Sequence, residues 1–554
     1  MNATPEALAA QGAALYAQAR YAEAAERYQA ALRARPEQPG LWTNFAAALA
    51  ASGRHTPARE ALRHALRLDP DAVEALNNYG AALDRAGKPQ EAAACYRRAL
   101  ALAPAAALWN NLGNVHKSLG RSDEAVAAYR EALRLDPTLF RAHSNLLLVL
   151  NYLESVDGPR LAAAHRAYGE ALARRVPRSP RPPIPRLPGE PLRVGFVSAD
   201  LYNHPVGRLL LPVLEARPGG GSQWLLYAQN TVEDALSARL RAAADGWCAI
   251  AGLDDDALEA RLRADRVHVL VDLAGHTAGN RLPFFARHVA AVQVAWLGYA
   301  GSTGLAAMDW LLADHASLPP EDESLYVERI WRVPESYVCF APPADAPGVA
   351  PPPALASGTV TFAAFNNPAK ITDRVLAVWA RILARQPGSR LLFKNRCFAE
   401  PATAARMAAR IARHGIGPER LAFEGESCGS AWYAAFGRVD IALDPFPFTG
   451  LMTSLDTLWM GVPLVTLAGR RGMLSRHGAQ LVRAVGRPEW ACADEAEYVH
   501  RALALAADPT ALAHHRQTLR AALLASPLLA PGQLAAQLEH AFNQMLAATG
   551  HCAP

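Results

Sequence analysis

A recurrence governs the first 150 residues of this chain. Pro36, Pro70, Pro104 and Pro137 follow one another at intervals of 34, 34 and 33 residues. Twelve residues before each proline stands an alanine (Ala24, Ala58, Ala92, Ala125), and five before it another (Ala31, Ala65, Ala99, Ala132). Eight before come Tyr28, Leu62, Tyr96 and Tyr129, and twenty-four before come Gly12, Ala46, Gly80 and Gly113. A period of this length holds one pair of antiparallel helices, with small residues where the helices touch and a large one in the pocket between them. Proline lacks the N–H for the next helical hydrogen bond and so ends the second helix of each pair. One such pair cannot bury its own apolar face. The pairs have to stack, and a helical superhelix is expected.

The pattern resembles the tetratricopeptide repeat. Four repeats and a fifth first helix, at about 139–154, are expected to fill an array over residues 5–155. The sixth residue of the last four first helices is Asn44, Asn78, Asn111 and Asn145. A side-chain amide both donates and accepts, so a spiral of asparagines can grip an extended peptide backbone without reading its side chains. Asparagine also suits this repeat position without any ligand, and the spacing alone does not choose between the two.

Composition closes off several other classes. With 51% apolar and 19% charged residues, the 554-residue chain has enough apolar content for three or four full cores. Its net charge of +5, from 56 basic and 51 acidic side chains, leaves no nucleic-acid footprint. Apolar runs such as LLLVL are far short of a membrane span. The N-terminus MNATPEALAAQG lacks the basic and apolar regions of a signal peptide. Cys95, Cys248, Cys339, Cys397, Cys428, Cys492 and Cys552 are scattered, which speaks against a disulfide framework or a zinc ribbon. A cytoplasmic protein with no membrane and no nucleic-acid partner is expected.

A linker over 156–191 follows, and seven prolines crowd its end, between Pro177 and Pro191. Beyond it, LRVGFVSAD, QWLLYAQ, VHVLVDLAG, VQVAWLGY and DWLLAD read as buried parallel strands of one α/β lobe over 192–340. A second Pro/Ala-rich break, 341–358, precedes TVTFAAFNN, RLLFKN, LAFEG, DIALDPF and PLVTLAG, the strands of another lobe over 359–545. The fold class is thus an α superhelix followed by two α/β lobes, with ligands expected beyond the carboxyl ends of the strands.

Residues at those ends can do chemistry. His204 follows the first strand, where an imidazole could take a proton from a hydroxyl near neutral pH or simply bond to backbone. His276 and Thr277 stand likewise after VHVLVDLAG, whereas His268 lies inside that strand and reads as core. In the second lobe, Lys370 in FNNPAKIT stands near a helix start, a place that suits an anion such as a diphosphate. Gly450 turns into a helix opening at about Met452, with Thr453 and Ser454 in its first turn and Asp456 placed to accept from ribose hydroxyls. Ser, Thr and Asp at such places also serve as plain helix caps. Gly425–Gly429 matches G-x-S-x-G, with Asp456 and His477 downstream in hydrolase order. That pattern is short, and an array followed by two lobes is not a hydrolase layout. No Walker lysine loop, HExxH or carboxylate cluster for a metal is present.

Taken in order, the repeats, LRVGFVSAD-x5-HP, DLAGHTAGNR, QVAWLGYAGSTG, ESYVCF, FNNPAKIT, VWARIL, DIALDPFPF and LWMGVPLVTLAG resemble the O-linked N-acetylglucosamine transferase/SPINDLY family from about residue 5 to 545. The resemblance implies a GT-B fold of two Rossmann-like lobes. It also implies inverting, metal-independent transfer of a sugar from a nucleotide sugar to Ser or Thr of proteins, with no cofactor. By the same resemblance, His204 is an acceptor-side base or positioning group and Lys370 neutralises the leaving diphosphate. Asn367 contacts the donor, Ser427 sits on the loop that holds the base, Thr453 contacts phosphate and Asp456 the ribose. The asparagine ladder becomes a clamp for acceptor proteins or peptides.

Two departures stand out. Leu451-Met452-Thr453 replaces the family's His/Thr-Thr-Thr run, a loss worth roughly 1–3 kcal/mol of donor binding. Arg470 and Arg471 replace an acid and a small residue in the loop GRRGMLSRHGAQ. UDP-N-acetylglucosamine is the leading donor. GDP-fucose is the alternative, because FNNPAKIT and VWARIL resemble the plant SPINDLY branch. A repeat scaffold with an impaired donor site is the third reading.

Overall fold

The computed structural model describes residues 3–230 and 232–550, so Cys552 lies outside the described residues. The chain forms two compact units: the residues up to Leu146 with Ala399–Ala404, and the remainder.

The first unit is the array. Its helices pair as Pro5–Ala17 with Tyr21–Ala34, Pro39–Ala51 with His55–Leu68, Val73–Arg85 with Pro89–Leu102, and Ala106–Ser118 with Ser122–Leu135. Pro36, Pro70, Pro104 and Pro137 each stand two residues beyond a second helix. In three repeats the aromatic of the second helix packs against a glycine of the first. A Cβ on Gly12, Gly80 or Gly113 would stand 3.0, 2.9 or 2.5 Å from the ring of Tyr28, Tyr96 or Tyr129. The second repeat trades the other way and buries Ala46 and Leu62 in one cluster. One register position turns every first helix into its second through left-handed backbone: Ala19, Gly53, Gly87 and Gly120, with φ of 58°, 80°, 75° and 67°. A β-carbon there costs ~1–2 kcal/mol, and Ala19 carries that cost.

The second unit holds two parallel sheets. The first comprises β1 (Leu192–Ser198), β2 (Ser222–Ala228), β3 (Gly246–Ala249), β4 (Val269–Asp272), β5 (Val292–Ala295), β6 (Trp310–Ala313) and β7 (Arg329–Arg332), in the order β3-β2-β1-β4-β5-β6-β7. The second comprises β8 (Thr361–Ala364), β9 (Arg390–Lys394), β10 (Leu421–Glu424), β11 (Ile441–Leu443), β12 (Leu464–Leu467) and β13 (Ala491–Cys492), ordered β10-β9-β8-β11-β12-β13. In each sheet the order reverses beside the first strand, between β1 and β4 and between β8 and β11. Loops leaving the carboxyl ends diverge at such a switch point and leave a crevice. The central strands are apolar and buried. β3, β7 and β13 are edge strands whose sequences, GWCA, RIWR and AC, carry little of that signal.

Three segments differ from the sequence reading. The first helix of the fifth pair stops at Leu150, where the Asn151 amide caps it on the Leu147 carbonyl. Part of the expected linker is then a helix, Gly158–Ala173, started by Asp157, whose carboxylate accepts from the Arg160 N–H. The last helix, Pro531–Ala547, lies in the sequence of the second lobe but packs on the first. Phe542 sits 6.2 Å from both Phe196 and Trp224, and the Ser222 hydroxyl donates to Glu539 at 2.5 Å. An amphipathic helix binds whichever apolar surface is left uncovered, and its sequence does not say which. Among the described residues, no helix is long and apolar enough to cross a membrane.

Candidate active site

The second lobe builds its site from the two loops at its switch point. After β8 the chain runs through Asn366 and Asn367 into the short turn Pro368–Lys370, and Thr372 then caps the helix Asp373–Arg385 by accepting from the Val375 N–H. The Lys370 Nζ donates to the Thr449 carbonyl at 2.7 Å and lies 4.0 Å from the centre of the Phe448 ring. After β11, Asp444 folds the second loop. Its carboxylate accepts from the Gly450 N–H and the Thr466 hydroxyl, both at 2.8 Å. Its carbonyl accepts from the Tyr498 hydroxyl at 3.0 Å. Gly450 is required by space: a Cβ there would stand 2.4 Å from the Ser454 Oγ and 2.8 Å from the Asn366 Nδ2. Burial pulls Lys370 below the ordinary lysine range and pushes Asp444 above the carboxylate range, while each charge restrains the shift of the other.

The helix Met452–Trp459 follows directly. Leu451 holds its N-cap position and makes no side-chain cap, so the first N–H groups have no capping side chain. Such a terminus carries partial positive charge and attracts anions. Asn366 donates to the Thr453 hydroxyl at 3.3 Å, and Ser454 is buried beneath. His477 is buried near Lys370. Burial and that cation hold its ring down to about 3, and its Nε2 faces the Tyr337 hydroxyl at 2.7 Å.

Across the cleft, His204 caps the helix Pro205–Glu215, its Nδ1 accepting from the Val206 N–H at 3.4 Å. With Nδ1 accepting there, the neutral ring would carry its proton on Nε2; with the proton on Nδ1 it would face Asp200. Burial holds the ring down to about 4 and pushes neighbouring Asp200, 3.7 Å from Nδ1, up to about 6. The same helix bears Arg208, whose Nη2 crosses to the other lobe and donates to the Tyr433 hydroxyl at 2.9 Å and to Asp456 Oδ1 at 3.2 Å. Tyr433 also donates to Oδ1, and the Trp432 indole to Oδ2, each at 3.2 Å.

The two loops of the second lobe thus gather Lys370, Thr453, Ser454 and Asp456, and Arg208, one helical turn after His204, reaches Asp456 from the other lobe. Sequence reasoning missed Asp444, Asn366, Arg208, Trp432, Tyr433 and the position of His477. Three candidates are placed differently. Asn367 is exposed and caps its own turn by accepting from the Ala369 N–H; its neighbour Asn366 is the one that reaches Thr453. His276, expected on the acceptor side, is 0% exposed. The helix Gly158–Ala173 covers it, with His165 and Tyr168 at 5.3 and 4.8 Å ring to ring, and its Nε2 lies 3.1 Å from the Thr303 carbonyl. That helix comes so close because Gly169 and Gly304 meet without side chains; a Cβ on Gly169 would fall 1.7 Å from the Gly304 oxygen. Thr277 spends its hydroxyl on the Ala274 carbonyl. Ser427 sits on the loop leading to the Trp432-Tyr433 helix with its Oγ unpartnered, while Asp456 and His477 are held by other groups; the three form no hydrolase triad. Arg470 is exposed, and Arg471 donates to the Leu150 carbonyl.

The array carries its own polar line. Asn145 donates to Asn110 at 2.9 Å, Asn110 to Asn111 at 3.3 Å, Asn111 to Asn77 at 2.9 Å and Asn77 to Asn78 at 3.2 Å. Three of the four expected ladder positions join this chain through the asparagines that precede two of them. At Asn44 the preceding residue is Thr43, whose hydroxyl turns back to the Pro39 carbonyl.

A family model described as glycosyl transferase family 41 matches residues 182–340 and 353–538, and tetratricopeptide models match 15–78, 73–106 and 106–139. The chain is 34% identical over 417 residues to a rice protein named as a probable UDP-N-acetylglucosamine–peptide N-acetylglucosaminyltransferase SPINDLY, covering 74% of this chain and 45% of that one. An Arabidopsis thaliana protein of the same name is 34% identical over 422 residues, covering 74% and 45%. The chain therefore spans under half the length of these curated relatives. A structure of a mutant Thermobaculum terrenum O-GlcNAc transferase superposes with a TM-score of 0.87 at 34% identity, over 92% of this chain and 98% of the other.

Proposed function

Because this chain belongs to glycosyl transferase family 41, we propose that it transfers N-acetylglucosamine from UDP-N-acetylglucosamine to Ser or Thr hydroxyls of proteins, with inversion at the sugar carbon and without a metal. The observation that carries this reading is the pairing of Lys370 with the uncapped start of the helix Met452–Trp459, on two loops at one switch point. When the acceptor hydroxyl's oxygen bonds to the sugar carbon, its proton passes to an oxygen of the donor's diphosphate, the bond from the carbon to the diphosphate breaks, and negative charge builds on the departing oxygen. A lysine already held by backbone and a fixed set of N–H groups stabilise that charge without reorganising. Leu451 and Met452 contribute no polar side chain, so backbone N–H groups and Lys370 carry the phosphates.

On the opposite lobe His204 serves as a positioning group, since burial holds its ring down to about 4 and a ring that weakly basic takes up little proton near neutral pH. The line from Asn145 to Asn78 offers amides to an extended acceptor backbone, and acceptor proteins are the partners this reading requires. The test is transfer from labelled UDP-N-acetylglucosamine and labelled GDP-fucose to lysate proteins. Label from the first donor, lost in Lys370→Ala, supports the proposal. Label from GDP-fucose alone replaces it with a fucosyltransferase, and no transfer from either donor leaves a scaffold.

A further inference from the structure

Asp456 does not face an open cleft. It is 2% exposed, and its two oxygens receive three hydrogen bonds: Arg208 and Tyr433 on Oδ1, Trp432 on Oδ2. A carboxylate offers about four acceptor sites, so one is left. Asp456 stands one helical turn beyond Met452, three residues after Thr453 and on the same face. A nucleoside diphosphate seated on that helix start carries its ribose diol about a turn from its phosphates. Two hydroxyls need two acceptor sites. Trp432 and Tyr433 come from the same lobe as Asp456 and move with it, whereas Arg208 reaches over from the helix Pro205–Glu215 of the other lobe. Arg208 is the donor that can leave.

We infer that Arg208 is a resident competitor for the carboxylate that binds ribose: a nucleoside diphosphate has to evict it, and in doing so breaks an ion pair that ties the two lobes together. The inference rests on the donor site proposed above. It makes Arg208 a determinant of donor affinity with an unusual sign. Removing a cation ordinarily weakens binding of a polyanion. Here removal frees an acceptor site on a buried carboxylate, and the ribose hydroxyls supply the donor that Asp456 has lost.

The test is calorimetric titration of the full chain, as wild type, Arg208→Gln, Arg208→Lys and Lys370→Ala, with UDP, GDP and 2′,3′-dideoxy-UDP. The expected result is UDP binding about tenfold tighter in Arg208→Gln, with Arg208→Lys close to wild type and the dideoxy nucleotide unchanged, since it has no diol to compete. Weaker or unchanged UDP binding in Arg208→Gln overturns the inference, as does an equal gain for the dideoxy nucleotide. Binding that ignores Lys370→Ala, or no binding at all, is the separate failure of the donor reading. Hydrogen exchange without nucleotide then decides the lobe contact. Faster exchange at the starts of Pro205–Glu215 and Met452–Trp459 in Arg208→Gln supports it, and unchanged exchange overturns it.

Discussion

The repeat array and the α/β unit organise polar groups in opposite ways. In the array the decisive contacts repeat: Asn111 meets Asn77 at a separation of 34 residues and Asn145 meets Asn110 at 35. In the α/β unit each contact occurs once and joins distant segments: Lys370 to Thr449 over 79 residues, Asn366 to Thr453 over 87, Arg208 to Asp456 over 248. Repetition spreads a polar line over many equivalent groups, so a single loss is shared. Convergence concentrates a site on a few groups, so a single loss is decisive.

Substitutions that separate the two regions sharpen this contrast. The largest effect is expected at Lys370: Lys370→Ala should cut transfer ~100- to 1,000-fold, the scale for loss of one preorganised charge-stabilising donor, and leave peptide binding by the array intact. Next is overpacking. Gly113→Val should lower the array's stability by ~1–3 kcal/mol, because its Cβ falls on the Tyr129 ring, without moving nucleotide affinity. A thermal melt beside a nucleotide titration reads both, and a variant that loses both at once breaks the contrast. Asn110→Ala interrupts the amide line beside its Asn145 end and should cost ~1 kcal/mol in any peptide binding there, since Asn145 and Asn111 each lose a partner. Smaller still, Ala19→Gly should raise the array's melting point, because relief of the left-handed strain (~1–2 kcal/mol) exceeds the entropy cost of a glycine (~0.5–1 kcal/mol).

A pH experiment examines the surroundings of His204. His204 is held down to about 4 from its ordinary 6.5, so between those values the unfolded chain binds the proton and stability falls as pH falls. Asp200 is pushed up to about 6 from 3.8, so between 6 and 3.8 the folded chain binds the proton and stability rises as pH falls. The two slopes oppose each other. Asp200→Asn removes the second, so the Tm of wild type should gain on that of the variant as pH drops from 6 toward 4. Parallel profiles would show that Asp200 is not buried as charge beside His204.

The same contrast explains what could be read from the sequence. The array was legible down to the Gly–Tyr pairs because every position is written several times. Central strands of both sheets were legible as apolar runs, and Lys370, Thr453 and Asp456 stood out because a loop after such a strand opens a helix. Asp444 did not, since an acid just after the strand in DIALDPF looks like any strand terminus until Gly450 folds back onto it. Asn366 and Asn367 are indistinguishable in sequence, and only the cap on the Ala369 N–H sorts them. His276 has the same strand-end position as His204, yet a helix from the segment read as linker covers it. Arg208 and Asp456 carry no mark of each other, because their meeting depends on how two lobes close.

The proposed activity stands or falls on whether Lys370 and the helix start at Met452 form a nucleotide-diphosphate site. Calorimetric titration of UDP and GDP into the purified chain tests it most directly, with Lys370→Ala alongside. One of the two nucleotides should bind the wild type and bind the variant at least about tenfold more weakly, the value of one charge-assisted contact. Equal binding to both proteins, or none of either nucleotide to the wild type, would contradict it.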